Sequence, residues 1–271
     1  MKNAGVIFKR SLWDSRLGIL AWGIGLAVTA LVELLLFPSI SKAFAGMTEL
    51  LSSPLYRAFL GEAADAASFA TPQGYIAMYM MAFVPLYLAV YAVILGLGIT
   101  AGEEERGTID ILLGTPIPRW QVIVEKFAAL VVIMTCILLL NSIGAMFGVL
   151  LTPELQTLPL TRLLEAAVAM LPITLLMAAF ALFFSTVLRS RSLAAGLTGA
   201  LIIGSYFVTN LSEVAREALS TVKQFSFYSY YSPMQTMQEG VIWPEFALLL
   251  ALAVALVGLS LVAFQRRDLA L

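Results

Sequence analysis

Six long runs of apolar residues divide the chain, and each run is almost free of charge. A helix rises 1.5 Å per residue, so about 20 apolar residues cross about 30 Å of hydrocarbon. In lipid such a run must be helical, because only a helix satisfies its own backbone hydrogen bonds. The pattern therefore predicts an all-α integral membrane protein with one transmembrane domain, whose helices we call span one to span six: 17–37, 75–100, 122–151, 163–188, 193–210 and 246–264.

The segment before span one, residues 1–16, mixes basic and apolar side chains in the pattern of an amphipathic helix. Such a helix lies in the membrane interface with its apolar face buried. No small-residue cleavage site follows in a suitable place, so the segment predicts a retained interfacial helix rather than a signal peptide. A disordered basic tail is the alternative.

Composition agrees with the span pattern. Hydrophobic residues make up 61% of the 271 residues and charged residues 12%, whereas soluble domains have roughly 25% charged residues. The net charge of −1 indicates no overall attraction to nucleic acid. Histidine is absent and cysteine occurs once, at Cys136, so the sequence offers no metal site built on Cys and His, no disulfide framework and no histidine base. We predict no catalytic residue and no cofactor bound by this chain.

The basic residues predict that both chain ends lie in the cytoplasm. With the N-terminus inside, five of the 16 Lys and Arg residues fall on the outer side: Lys42, Arg57, Arg162, Arg216 and Lys223. The other eleven fall inside: Lys2, Lys9, Arg10, Arg16, Arg106, Arg119, Lys126, Arg189, Arg191, Arg266 and Arg267. Cytoplasmic loops carry an excess of Lys and Arg, so this orientation is favoured. We predict a multi-pass protein of a prokaryotic plasma (inner) membrane.

Two outer segments have recognisable patterns. The first contains an amphipathic stretch, Met47 to Leu60, that we expect on the outer membrane surface. The last, residues 212–244, carries an aromatic run followed by Pro233. Aromatic rings favour the headgroup level of a bilayer, so this last segment is compatible with a loop that re-enters the membrane.

The inner loop between spans two and three, residues 102–121, predicts a short amphipathic helix. Thr108 can cap its N-terminus, and Gly114 ends it. Leu112 and Leu113 share an apolar face with Ile109 at helical spacing. Pro116 after a threonine marks the start of the next helix. From the residues alone, this apolar face is covered either by the membrane surface or by a groove in a partner protein.

The same loop resembles the signature of permease subunits of ABC-type-2 exporters. That pattern has acidic residues before Gly-Thr, a pair of leucines, then Pro-[Ile/Val]-x-Arg and a later lysine. The matching residues here are Glu103, Glu105, Gly107, Thr108, Leu112, Leu113, Pro116, Ile117, Arg119 and Lys126; Ile109 stands where the pattern has leucine. The resemblance extends to the N-terminal amphipathic helix, the order of six spans and the aromatic last outer segment.

The resemblance implies that the short helix is a coupling helix that docks into a cytoplasmic ATPase. We predict that the coupling residues are Glu103, Glu105, Arg106, Gly107, Thr108, Leu112, Leu113, Pro116 and Arg119. The resemblance also implies two permease subunits, identical or different, with two ATPase subunits that bind ATP and Mg²⁺. No Gly-Lys dipeptide occurs in the chain, as a phosphate-binding loop would require.

In such folds spans two and five line the substrate path, and the outer segment before the last span forms part of an outer gate. Carried over to this chain, the resemblance gives candidate path residues in both spans: Tyr75, Met78, Tyr79, Phe83 and Asn210. A methionine-rich aromatic face suits varied apolar ligands, although ordinary core or lipid-facing packing also explains it. Lipid-like molecules, hydrophobic drugs or antibiotics and short peptides all remain open as cargo.

Several residues inside the spans have structural interpretations. Asn141 and Ser142 are candidates for hydrogen bonds between helices, and Gly144 with Gly148 allows close helix approach. The small residues Gly196, Ala200 and Gly204 on span five favour a subunit contact, with contact inside one subunit as the alternative. Pro85 and Pro172 predict kinks.

Two other functions compete with the exporter interpretation. A secondary transporter driven by an ion gradient would need buried ionisable groups or broken helices near the membrane midplane. The central thirds of these spans contain no charged residue. A membrane scaffold or channel would leave the Gly107–Arg119 pattern unexplained. A CAAX-type membrane protease is excluded by the spacing of Glu103, Glu104 and Glu105 and by the absence of histidine.

Overall fold

Helices long enough to cross a membrane follow one another from one end of the chain to the other. The computed structural model describes residues 5–45, 71–100, 118–188 and 190–266. Six helices are long and apolar enough to cross a membrane, and no strand occurs among the described residues. These helices, which keep the names span one to span six, are Arg16–Leu35, Pro72–Gly98, Arg119–Leu151, Leu160–Val187, Arg191–Val214 and Trp243–Arg266. The predicted all-α fold with six spans is confirmed.

Spans three to six begin two or three residues before the apolar runs do. Local capping explains the difference, because proline is tolerated where a helix N-terminus needs no N–H donor. Pro118 and Pro159 directly precede spans three and four. Ser190 caps span five by accepting a hydrogen bond from the Leu193 amide at 3.3 Å. The helices therefore start at their caps, outside the apolar windows that predicted them.

Span four forms the centre of the bundle. It packs against spans two, three and six, whereas span one packs mainly on span three. In its most apolar window 72% of span four is buried, compared with 22% of spans one and five and 17% of span six. Most residues of spans one, five and six are therefore at least partly uncovered by the described chain.

Two glycines let spans one and three approach closely. A Cβ atom built on Gly144 would overlap the backbone of Ala27, and one on Gly148 would lie 2.7 Å from the Cβ of Leu34. Only a residue without a side chain fits such a contact between backbones. The close helix approach predicted for this pair of glycines is confirmed, and it joins span three to span one.

Span two is an interrupted helix. Its outer part begins as an α-helix over Pro72–Ile76 and continues as a π-helix over Ala77–Ala82. A second α-helix, Val84–Gly98, then completes the span. The interruption ends next to Pro85, where proline removes a backbone donor. At Pro172 span four continues as one helix.

Shorter helices lie at both ends of the bundle. The N-terminal helix is Val6–Asp14, and a further helix, Phe37–Ala45, follows span one. The outer segment between spans five and six contains an α-helix at Arg216–Lys223, a 3₁₀ turn at Phe227–Tyr230 and an α-helix at Pro233–Glu239. The amphipathic stretch Met47 to Leu60, predicted to lie on the outer membrane surface, is outside the described residues.

Candidate functional site

The inner end of span two is tied to spans three and four, directly before the predicted coupling region. The hydroxyls of Thr100 and Ser185 lie 2.6 Å apart, and both are buried. Ser185 donates its own proton to the carbonyl of Leu182 at 2.8 Å, so Thr100 is the donor to Ser185. Lys126 Nζ of span three lies 3.5 Å from the carbonyl oxygen of Ile99. A cation at a helix C-terminus stabilises the exposed carbonyls and the helix dipole.

On the other side of the coupling region, Glu125 of span three holds the N-terminal helix. Its two carboxylate oxygens accept hydrogen bonds from the backbone amides of Gly5, at 2.8 Å, and Phe8, at 3.0 Å. Gln121 donates a third bond to the same carboxylate at 2.7 Å. The helix N-cap is Gly5, which has no side chain to satisfy the first amides. Glu125 therefore caps this helix from another part of the chain.

The role of Glu125 was not among the predictions from the sequence. Two signals pointed to it: Glu125 is the one carboxylate in the span-three sequence, and the residue before the N-terminal helix is a glycine. Of the nine predicted coupling residues, the structure describes Arg119, which begins span three. The other eight lie outside the described residues, and the role of all nine stays a prediction.

Two of the candidate path residues are packed inside a single chain. Tyr75 is completely buried; its hydroxyl donates to the carbonyl of Glu33 at 2.8 Å, and its ring meets Phe37 edge-on at 5.0 Å. Met78 is also buried. The ring of Tyr79 lies 4.5 Å from that of Tyr75 and is partly exposed. Tyr75 therefore fastens the outer part of span two to span one.

The other two candidate path residues lie on partly exposed surfaces. Phe83 stacks with Tyr87 at 6.2 Å, and Tyr87 is 43% exposed. Asn210 hydrogen-bonds through its side chain with Tyr206 on the same span. Tyr79, Phe83 and Asn210 thus keep surface available for a ligand or a second subunit. The assignment of all five residues to a path stays a prediction.

Three hydroxyl groups join the outer segment to span five. The Oγ atom of Ser226 lies 2.7 Å from that of Ser205 and 2.6 Å from Oγ1 of Thr209. The Ser205 hydroxyl also accepts a hydrogen bond from the backbone amide of Tyr228 at 3.2 Å. Beside this cluster the ring of Phe227 lies 5.6 Å from that of Phe180 in span four. The outer segment is therefore bound to residues well inside spans four and five.

Tyr231 makes the corresponding contact with span two. Its hydroxyl donates to the carbonyl of Met81 at 2.8 Å, in a buried contact between residues 150 positions apart. The outer segment consequently contacts both spans that the resemblance assigns to the path.

An open cleft of about 620 Å³ lies where the outer segment meets the starts of spans two and four. Its lining combines methionine, amide and threonine side chains with Arg162. Arg162 donates to the Glu165 carboxylate at 2.7 Å and to the carbonyl of Gln238 at 3.2 Å. Its charge is thus satisfied within the protein. In the described part of the chain, no cluster of His, Cys, Asp and Glu side chains could hold a metal ion.

Polar residues within span three behave differently from one another. Ser142 donates to the carbonyl of Leu163 in span four at 3.1 Å, so the predicted bond between helices is confirmed. Asn141 is equally buried, but neither amide atom reaches a hydrogen-bond partner within the described residues. Among the described residues, the interhelical bond predicted for Asn141 is therefore not made.

Span five presents an uncovered face of small and apolar residues. A Cβ atom on Gly196, Gly199 or Gly204 would meet no described atom within 4 Å. Ile203 is 56% exposed and Leu197 44% on the same helix. These three glycines therefore do not pack against another described helix of the same chain.

Comparison with known proteins agrees with this architecture. The family model described as "ABC-2 family transporter protein" matches residues 6–269, which include all six spans and the N-terminal helix. No curated protein matches the chain. Permeases of this family associate in general with ABC ATPase subunits. The chain belongs to the ABC-2 transporter family, as one of its membrane-spanning permeases.

Proposed function

We propose that this permease is the membrane subunit of an ATP-driven exporter and works as a dimer with two cytoplasmic ATPase subunits. The ATPases bind ATP and Mg²⁺, and this chain supplies the path through the membrane. Their contact with the permease is the coupling region 102–121, with Leu112 and Leu113 as the apolar residues that dock.

The observation that carries this proposal is that both sides of the coupling region are hydrogen-bonded into the bundle. Thr100 and Ile99 contact spans four and three on one side. Glu125 binds the N-terminal helix on the other side. A displacement of the coupling region is therefore passed on to three spans and the N-terminal helix at once. This is what an ATPase needs in order to move the membrane part of a transporter.

The charge distribution supports an orientation with both ends inside. Eleven basic residues then face the cytoplasm and five face outward, in agreement with the bias of inner-membrane proteins. The coupling region falls on the cytoplasmic side in this orientation, where an ATPase and ATP are available. Lipid surrounds the remaining exposed apolar faces.

The uncovered face of span five supports a subunit contact. Small residues allow two helices to approach closely in lipid, and the positions of Gly196, Gly199 and Gly204 are open within the described chain. A second permease, identical or different, fits this face. Pairing there brings the partly exposed side chains of Phe83 and Asn210 toward a shared path.

The contacts of the outer segment support a role at the outer gate. Irregular backbone at membrane depth is tolerated where the protein itself satisfies its polar groups. The Ser205 hydroxyl does so for the Tyr228 amide in the turn Phe227–Tyr230, and the Ser226 hydroxyl donates to the carbonyl of Ser205 in span five. We infer that this part of the segment re-enters the membrane and closes the path from outside.

The test of the proposed function is the association with an ATPase when the docking face is changed. In the predicted coupling helix Leu112 and Leu113 lie on one face and Ile111 on the opposite face. We expect Leu112→Asp combined with Leu113→Asp to abolish co-purification of the partner ABC ATPase. Ile111→Asp is the matched control and should preserve it.

Folded protein must be recovered in each case, as judged by a single peak in size-exclusion chromatography. Unchanged ATPase binding by the double variant would refute the docking assignment. An ion-gradient transporter would show another result, with uptake or release in vesicles that contain no ATPase and no ATP.

A further inference from the structure

One backbone carbonyl in span two has a proline, and therefore no amide, at the position that would donate to it in a continuous α-helix. In an α-helix the carbonyl of Met81 would accept a hydrogen bond from the amide of residue 85. Pro85 has no N–H to donate. The hydroxyl of Tyr231 lies 2.8 Å from this carbonyl oxygen and donates to it. A side chain from the outer segment thus occupies the place of the missing backbone donor.

The backbone around Met81 is irregular in the way that a missing donor would produce. The π-helix Ala77–Ala82 ends here, and the amide of Phe83 bonds to the carbonyl of Met80 in a tight turn. The next α-helix starts at Val84. Span two is therefore divided at this point into an outer piece, Pro72–Ala82, and an inner helix that leads to the coupling region.

The outer segment that carries Tyr231 is itself anchored to other parts of the bundle. The neighbouring Ser232 donates to the carboxylate of Glu245 at the start of span six, at 3.0 Å. The helix Pro233–Glu239 that follows packs on the outer piece of span two. Tyr231 is 8% exposed, so water does not compete for its hydroxyl. Its position is consequently fixed by packing on both sides.

We propose that Tyr231 is the positioning residue that sets the bend of span two, because its hydroxyl replaces the N–H that Pro85 lacks. Its effect on transport rests on the proposed function. When the outer segment moves, the Tyr231 bond to Met81 moves with it, and the outer piece of span two changes its angle to the inner helix. The outer segment and the outer piece of span two therefore move together.

The test uses a double-mutant cycle on the full-length chain in lipid nanodiscs, without an ATPase. The four proteins are the unchanged chain, Tyr231→Phe, Pro85→Ala and the double variant. Tyr231→Phe removes only the hydroxyl, whereas Pro85→Ala restores a backbone amide that can reach the Met81 carbonyl. Tyr230→Phe is the matched control, since the Tyr230 hydroxyl donates to the carbonyl of Gln224 at 3.0 Å, away from the bend.

We expect Tyr231→Phe to lower the melting temperature by about 2–4 °C, as the loss of one buried hydrogen bond does in a chain of this size. Amide hydrogen exchange over residues 77–88 should accelerate on the order of fivefold. In the Pro85→Ala background, Tyr231→Phe should change neither the melting temperature nor the exchange rate of residues 77–88. Tyr230→Phe should leave the exchange of residues 77–88 as it is.

Equal effects of Tyr231→Phe with and without Pro85 would overturn the proposal, because the hydroxyl would then stabilise something other than the bend. An unaltered exchange rate in the single variant would overturn it as well. Neither result depends on an ATPase, so failure of this proposal and failure of the exporter proposal are distinguishable.

Discussion

Replacement of Gly144 by leucine is expected to separate span three from span one and to leave little folded protein. A side chain at this position would overlap the backbone of Ala27, which cannot move aside as the end of a flexible side chain can. Overpacking in a well-packed core lowers stability by about 1–3 kcal/mol and sometimes more. A clash with backbone atoms should cost as much as the upper end of this range, so we expect the free energy of unfolding to fall by about 3 kcal/mol or more.

The measurement is the melting temperature of the purified chain together with its yield as a single species. A loss of about 3 kcal/mol corresponds to a fall of about 6–12 °C for a protein of this size. Gly25→Leu is the control, because a Cβ atom on Gly25 in span one meets no described atom within 4 Å. Similar melting temperatures for the two variants would show that the close helix contact is not present.

Glu125→Ala is expected to release the N-terminal helix from span three. The carboxylate accepts amide hydrogen bonds from Gly5 and Phe8, and no side chain at the N-cap can replace it. Loss of an N-cap destabilises a helix by about 1–2 kcal/mol, which raises the detached population by about 5–30-fold. The link between the coupling region and this helix is then lost, while the six spans remain folded.

Hydrogen exchange of residues 5–14 measures the release directly. Asp14→Ala provides the control on the same helix, because Asp14 pairs with Arg10 at 2.9 Å on an exposed surface and such pairs contribute little. We expect fast exchange in Glu125→Ala and nearly unchanged exchange in Asp14→Ala. If both variants exchange at the rate of the unchanged chain, Glu125 does not hold the helix.

The six spans could be predicted from the sequence because hydropathy and length decide them directly. A charge-free run of about 20 residues has no stable alternative to a helix in lipid. The close contact at Gly144 and Gly148 was also predictable, since small residues four apart mark one face of a helix. These features depend on residues that are neighbours in the chain or along one helix.

The contacts of Glu125 and Tyr231 could not be predicted in this way. They join residues 117 to 150 positions apart. Gly5 marks a helix start that lacks a capping side chain, but nothing in the sequence says which distant residue supplies the cap. The kink at Pro85 was predicted, but not the hydroxyl that supplies the missing donor. Such contacts follow from the packing of the whole bundle.

The candidate path residues show why hydropathy separates positions less well in a membrane protein than in a soluble one. Tyr75 and Met78 are buried inside one chain, whereas Tyr79 and Phe83 of the same span are partly exposed. In lipid, an apolar side chain suits the interior, the lipid face and an apolar path equally well. Hydrophobic pattern alone therefore cannot separate these positions along span two.

The central proposal is that a cytoplasmic ATPase binds the apolar face of the coupling region between spans two and three. The most direct measurement is the labelling of Leu113→Cys, in a chain with Cys136→Ser, by a maleimide that does not cross membranes. We predict labelling in inverted vesicles but not in intact cells, and loss of labelling in inverted vesicles when the ATPase is bound. Labelling in intact cells, or equal labelling with and without the ATPase, would contradict the proposal.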